Sequence, residues 1–260
     1  MQVDRTHVIE TFQTYTKHYD ITDEKIHLKV VHTYRVASLS EQIARNIQLS
    51  ESDIELAWLI GMLHDIGRFE QLRRYDTFMD AESVDHAALG VEILFQDGEI
   101  NHYVTDHTED SMIRTAIANH NLFCLPDNLT EREQTFCQIV RDADKIDILR
   151  VNVDFKIHEL YNTTADEFYS CKVTEKVMES FMEEHATLRS VKKTPIDHIA
   201  GHISLVFELV YPISLKIAIE QGYLASLLAF PSQNFETKAQ FALMKEKMNE
   251  YLMRRCGKTI

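Results

Sequence analysis

Leu56-Ala57-Trp58-Leu59-Ile60-Gly61-Met62-Leu63-His64-Asp65-Ile66-Gly67-Arg68 is the stretch that decides the fold. Its run from Leu56 to Leu63 has no polar side chain, so it reads as a helix buried on most of its faces. The run stops at a histidine and an aspartate side by side. Gly67, just beyond, is placed to close the helix as a left-handed residue. A carboxylate beside an imidazole at the end of a buried helix is costly unless something pairs with both. A divalent metal ion pairs with both, and further His and Asp residues along the chain are available to complete such a site.

Working outward, residues 6–19 form an amphipathic helix with Val8, Ile9, Phe12 and Tyr15 at helical spacing. A longer helix over about 23–47 carries the stripe Leu28, His32, Val36, Leu39, Ile43, Ile47, which turns His32 inward. Alone, His32 reads equally as a hydrogen-bonded core histidine or as a ligand. Ser50 and Asp53 have capping-box spacing ahead of the central helix. After it, residues 68–85 are polar and aromatic and read as a loop long enough to be functional. His86 opens an apolar helix that Gly98 ends. A helix over 111–121 puts Ile113, Ile117 and His120 on one stripe.

Thr130 and Glu133 form a second capping box, for a helix running to about residue 151. Its stripe is Phe136, Val140, Asp144 and Asp147, and a carboxylate on a core stripe needs a partner. Past Asn152 the pattern weakens. Short helices fit 164–169 and 174–184, a pair jointed at Pro212 fits 196–211 and 213–228, and a last helix fits 234–255. With only 7 glycines and 4 prolines, and no alternating strand pattern, the chain reads as all-α. Its length suits one helical domain, 1–260, with the candidate ligands in about 25–150 and further helices over about 151–260.

The formal net charge of -14 argues against a DNA or RNA polymer as partner, since a polyanion would be repelled. It leaves small phosphorylated substrates open, and a homo-oligomer as well. The four cysteines, Cys124, Cys137, Cys171 and Cys256, form no C-x-x-C pair and read as reduced thiols of a cytoplasmic protein. The first residues lack the apolar core of a signal peptide. The apolar region 199–218 is broken by His202, Glu208, Pro212 and Lys216, so no membrane span is expected.

Collected in order, the inward polar residues are His32, His64-Asp65, His86, His120 and Asp144, on five separate helices. Six N/O donors with no thiolate suit one or two divalent ions such as Mn, Fe, Zn, Ni or Mg. Asp65 has two oxygens and can bridge two ions. The order H…HD…H…H…D resembles the HD-domain metal-dependent phosphohydrolases. The contexts Leu-His-Asp-Ile-Gly-Arg, His-Ala-Ala-Leu-Gly and Arg-Asp-Ala-Asp-Lys-Ile-Asp resemble that superfamily too.

That resemblance implies an all-α, HD-domain-like bundle with additional C-terminal helices. It implies a first metal on His32, His64, Asp65 and Asp144, and a second on His86 and His120 with Asp65 bridging. The activity implied is hydrolysis of a phosphomonoester or phosphodiester, of a nucleotide type, by a metal-activated water. The chain lacks the Gly-Tyr-Pro motif of cyclic-di-GMP phosphodiesterases, and reads Asn119-His120-Asn121 where others of the superfamily carry His-His-Glu. It also lacks the Glu-Asp pair of alarmone hydrolases. The same ligands fit a di-iron oxygenase on this fold, or a regulatory module that binds without turnover.

Arg68, next to the ligand pair, is the first candidate for clamping a substrate phosphate. Lys145 is a second, although adjacent helix residues diverge by about 100 degrees. Asp65 itself counts as catalytic, and Asp147 is a candidate for orienting a ligand. Arg73, Arg74, Lys192 and Lys193 are available to help hold a phosphate but read first as solvated side chains. His198 and His202 read as structural in an apolar helix, and His102, His107, His158 and His185 as surface residues.

Overall fold

The structure, a computed structural model, describes residues 1–154 and 163–260. Among the described residues there are helices and no strands, as the scarcity of breakers implies. The chain divides into two compact units, Met1–Ala143 and Asp144–Ile260. No helix of the described residues is long and apolar enough to cross a membrane.

The first unit begins with α1 (Arg5–Thr16), α2 (Glu24–Asn46) and α3 (Glu51–Leu63). Ser50 caps α3 as its spacing with Asp53 predicts: the Asp53 amide donates to Ser50 Oγ at 3.2 Å. A short connection turns α3 back along α2. The two backbones come so close that a Cβ added at Gly61 would lie 2.6 Å from Ala37 Cα. His32 lies five residues before Ala37 and His64 three residues after Gly61. In an antiparallel pair these fall on the same side of the crossing, and their rings sit 5.3 Å apart.

After α3 the chain makes a turn at His64 and Asp65 and becomes helical again as α4 (Ile66–Tyr75). The loop expected from residue 68 therefore starts only at Asp76, with a short 3-10 turn at Asp80–Glu82. Phe69 and Leu72, three apart and buried, give α4 its inward face, although the segment around them is highly charged. Gly67 is a correction. It lies inside α4 and does not have a positive φ. What requires glycine there is a close approach: an added Cβ would stand 2.3 Å from the His86 carbonyl oxygen and 2.7 Å from the Gly90 nitrogen. Both atoms belong to α5 (His86–Phe95), so this contact sets α5 against α4. Gly98, with φ +84°, stops the chain just past α5 as its position suggests.

Next come α6 (Ile100–Tyr103), α7 (Asp110–Asn119) and α8 (Glu131–Asp154). The capping box of α8 is reciprocal: the Thr130 amide donates to Glu133 Oε2 at 2.9 Å, and the Glu133 amide to Thr130 Oγ at 3.3 Å. Helix α8 is continuous through residue 144, where the second unit begins.

That unit continues with α9 (Ala165–Ser170), α10 (Glu175–Met182) and α11 (Ile196–Ser204), then α12 (Pro212–Glu220), α13 (Tyr223–Leu228) and α14 (Phe235–Cys256). The helical pair expected across Pro212 is broken further. Helix α11 gives way to a 3-10 turn at Leu205–Glu208, and Gly222 at φ +77° separates α12 from α13. Phe181, Phe207 and Tyr251 form an edge-to-face cluster in this unit's core.

Candidate metal centre

Asp65 is the centre of the first unit. It is buried, as are His32, His64, His86 and His120. Four imidazoles from four places in the sequence meet its carboxylate. His32 Nε2 lies 3.6 Å and His64 Nε2 3.7 Å from Oδ2. His86 Nε2 lies 3.5 Å and His120 Nε2 3.6 Å from Oδ1. The rings form a continuous row, with centroids 5.3 Å apart for His32 and His64, 5.2 Å for His64 and His120, and 4.9 Å for His86 and His120.

The orientation of the rings tests whether these residues fit a metal. His64 Nδ1 is 2.8 Å from the Gly61 carbonyl, and His120 Nδ1 is 2.7 Å from the Ile117 carbonyl. A carbonyl oxygen only accepts, so Nδ1 carries the hydrogen in both rings. In the neutral ring the lone pair is then on Nε2, the atom turned toward Asp65. His86 repeats the scheme with a carboxylate, its Nδ1 lying 2.8 Å from Asp80 Oδ2. Backbone carbonyls and carboxylates behind the outer ring nitrogen are what hold metal-binding histidines in place. Among the described residues, His64, Asp65 and His120 each offer one ligand atom within 4.8 Å of the others. His86 and His120 bring their Nε2 atoms to 3.0 Å of each other. The donor set fits a divalent ion, or two.

Cations balance the carboxylate. Lys29 Nζ donates to Asp65 Oδ2 at 2.7 Å, and Arg68 Nε is 3.7 Å from Oδ1. Burial alone would push the Asp65 carboxyl up, but Lys29, the neighbouring imidazoles and Arg68 hold it well below the usual carboxylate range. Burial and the Arg68 charge push His86 down to about 4 against the pull of Asp80, so it stays a neutral donor at neutral pH. Burial also opposes ionisation of Asp80, and its bond to His86 and the Arg68 charge overcome it, so Asp80 sits below its usual range.

Asp144, the other expected ligand, is the first residue of the second unit, half-buried in the middle of α8, and its charge acts on His202. Lys145 follows it and is also half-buried. Asp147 is fully buried, and Arg150 grips it through Nε at 2.9 Å and Nη2 at 2.8 Å. The Arg68 guanidinium makes its hydrogen bonds through Nη1, to Gln71 Oε1, the Phe78 carbonyl and Asp80 Oδ1 at 2.7 to 2.8 Å. It is thus a brace for the loop carrying Asp80, with Nε toward Asp65. Arg73 and Arg74 are exposed as expected, and both pair with the buried Glu70. His102, His107 and His185 are exposed as expected, and His158 lies outside the described residues.

Three residues escaped the sequence reading. Lys29 sits one turn before His32, and that i, i+3 relation to an inward histidine was the available signal. Asp80 had only its place six residues ahead of His86. Arg141 donates to the carbonyls of Asn119, His120, Leu122 and Phe123 and so fixes the end of α7 that presents His120.

Residues 30–149 match the family model described as HD domain. No curated protein and no solved structure matches the chain.

Proposed function

From the HD domain that the chain carries over residues 30–149, a fold of metal-dependent hydrolases, we propose that the protein is a phosphohydrolase acting on a phosphomonoester or phosphodiester of a small, nucleotide-type substrate. The observation that carries this reading is the placing of four imidazoles, two on each oxygen of one buried carboxylate, with the outer nitrogens of His64, His120 and His86 tied back. His32, His64 and Asp65 would hold a first divalent ion, with Asp144 from α8 as the remaining ligand. His86 and His120 would hold a second, with Asp65 shared. Such ions supply Lewis acidity, which brings the pKa of water toward neutrality and draws charge from phosphoryl oxygens.

The chain's own residues do the rest. The buried carboxylate and imidazoles exclude bulk water from the ligand atoms. Asp80 keeps His86 turned inward, and Arg68 keeps Asp80 in place. Lys29 and Arg68 put two positive charges beside Asp65, where the equatorial oxygens of a transferring phosphoryl group gather charge. The net charge of -14 favours a small substrate over a nucleic-acid polymer. The four free, scattered cysteines suit the reducing cytoplasm.

Protein stripped with a chelator and reloaded singly with Mn, Fe, Zn, Ni or Mg tests the reading against p-nitrophenyl phosphate, bis(p-nitrophenyl) phosphate and a nucleotide panel. The expected result is phosphate-ester cleavage that at least one ion restores. No cleavage with any ion overturns it, and oxygen consumption by the ferrous form would mark an oxygenase instead.

A further inference from the structure

The second unit holds a group of nitrogen donors that the metal centre does not use. Lys192 follows the short turn Arg189–Val191 and folds over α11. A Cβ added at Gly201 would lie 2.5 Å from both Cε and Nζ of Lys192, so the ammonium end of that side chain rests on the helix over this glycine. His198 and His202 are four residues apart on α11 and share a face around that glycine. His202 Nδ1 is 2.5 Å from Asn152 Oδ1, which fixes its ring.

The Lys192 ammonium makes no hydrogen bond or ion pair among the described residues. The carboxylate that acts on it, Asp197, is already committed. Asp197 accepts from the Thr174 amide at 2.8 Å and hydroxyl at 2.6 Å, and from the amides of Lys193 at 2.7 Å and Thr194 at 2.9 Å. Arg189 adds positive charge beside Lys192. Burial pushes Lys192 down to about 8 and His198 to about 4, and holds His202 well below its ordinary value. Yet all three keep part of their surface open to solvent. All three are thus partly covered by protein and partly reachable from solvent. Among the described residues this ammonium has no hydrogen-bonded counter-ion, in a chain of net charge -14. The Asp144 carboxylate, a ligand in the reading above, is close enough for its charge to act on His202.

We propose that Lys192, with His198 and His202, forms the subsite that binds a phosphate group of the substrate. The ammonium supplies charge and hydrogen-bond donors to phosphate oxygens, and a neutral His198 ring has one N–H to offer; His202, whose Nδ1 hydrogen is spent on Asn152 Oδ1, shapes the subsite without donating to the anion. The assignment of this phosphate to a substrate rests on the phosphohydrolase reading, but its test does not need turnover.

The test is calorimetric titration of the full-length, chelator-treated protein with inorganic phosphate and pyrophosphate. Wild type should bind, and Lys192→Met, which keeps the aliphatic stem over Gly201, should bind at least about tenfold more weakly, a loss of about 1.4 kcal/mol. Thermal unfolding checks that the variant is folded. Should it not fold, His198→Gln decides by the same comparison, with an expected loss of about threefold or more. No binding by wild type, or equal binding by wild type and the folded variant, overturns the subsite. Binding through Lys192 without metal-restored cleavage upholds the subsite and removes the hydrolase. Cleavage without Lys192-dependent binding does the reverse.

Discussion

The two oxygens of Asp65 have similar company held in different ways. Oδ2 faces His32, His64 and the Lys29 ammonium, and Oδ1 faces His86, His120 and the Arg68 guanidinium. Each side has two imidazoles and one cation. The Oδ2 side is built on the crossing of α2 and α3, where Gly61 lets two helix backbones touch. Lys29 and His32 stand within α2 on that side, and His64 follows the end of α3 beside the crossing. The Oδ1 side is assembled from helix ends. His86 starts α5, His120 follows α7, and both depend on braces from elsewhere: Asp80 and Arg68 for one, Arg141 for the other. A site supported by helix packing should bind tightly, and one supported by side-chain braces should bind more weakly and be easier to disturb.

Five substitutions sharpen or break that contrast. Asp65→Asn removes the charge that both sides share, and should abolish bound metal and phosphate-ester cleavage together, as read by elemental analysis and product release. Cleavage that survives in the metal-free variant would break the scheme. His64→Ala and His120→Ala should separate the sides. His64→Ala should lose the tighter ion and nearly all activity, whereas His120→Ala should keep one ion per chain, counted after dialysis. Equal losses would mean that the two sides are one site.

Asp80→Asn keeps the size of the brace and removes its charge. It should weaken the Oδ1-side ion by about 10- to 100-fold and leave the other unchanged, as two-phase metal titration would resolve. Gly67→Ala acts through the backbone. Its methyl group would meet the His86 carbonyl and the Gly90 nitrogen, neither of which can swing away. A loss of about 1–3 kcal/mol in chemical denaturation is expected, with metal affinity reduced on the Oδ1 side only.

The same contrast explains what could be read in the sequence. His32 was legible because it interrupts an aliphatic stripe, and His64-Asp65 because it ends a run with no polar residue. His86 and His120 were legible as polar groups at the ends of apolar helices. All of these break a local periodicity, which sequence displays directly. Lys29 breaks none, since a lysine in a helix looks like a solvated face until folding brings Asp65 beside it. Asp80 lies in a charged stretch with no periodicity to violate. Gly67 was seen but misread: a glycine after a polar pair looks like a helix cap, and only the neighbouring helix shows that its missing Cβ admits His86. Helix α4 was hidden by its own charges, because only Ile66, Phe69 and Leu72 mark its buried face. The placing of Lys192 was hidden for a related reason, although the residue itself was available as a phosphate cation. A Lys-Lys-Thr-Pro run reads as a solvated turn, and it takes the fold to lay that ammonium over Gly201.

Anomalous scattering from crystals of the wild-type protein grown with manganese tests the central claim most directly. The account predicts two peaks within ligand distance of Asp65, one beside Oδ2 toward His32 and His64, the other beside Oδ1 toward His86 and His120. A map with no peak at Asp65, or with manganese bound only elsewhere, would contradict it.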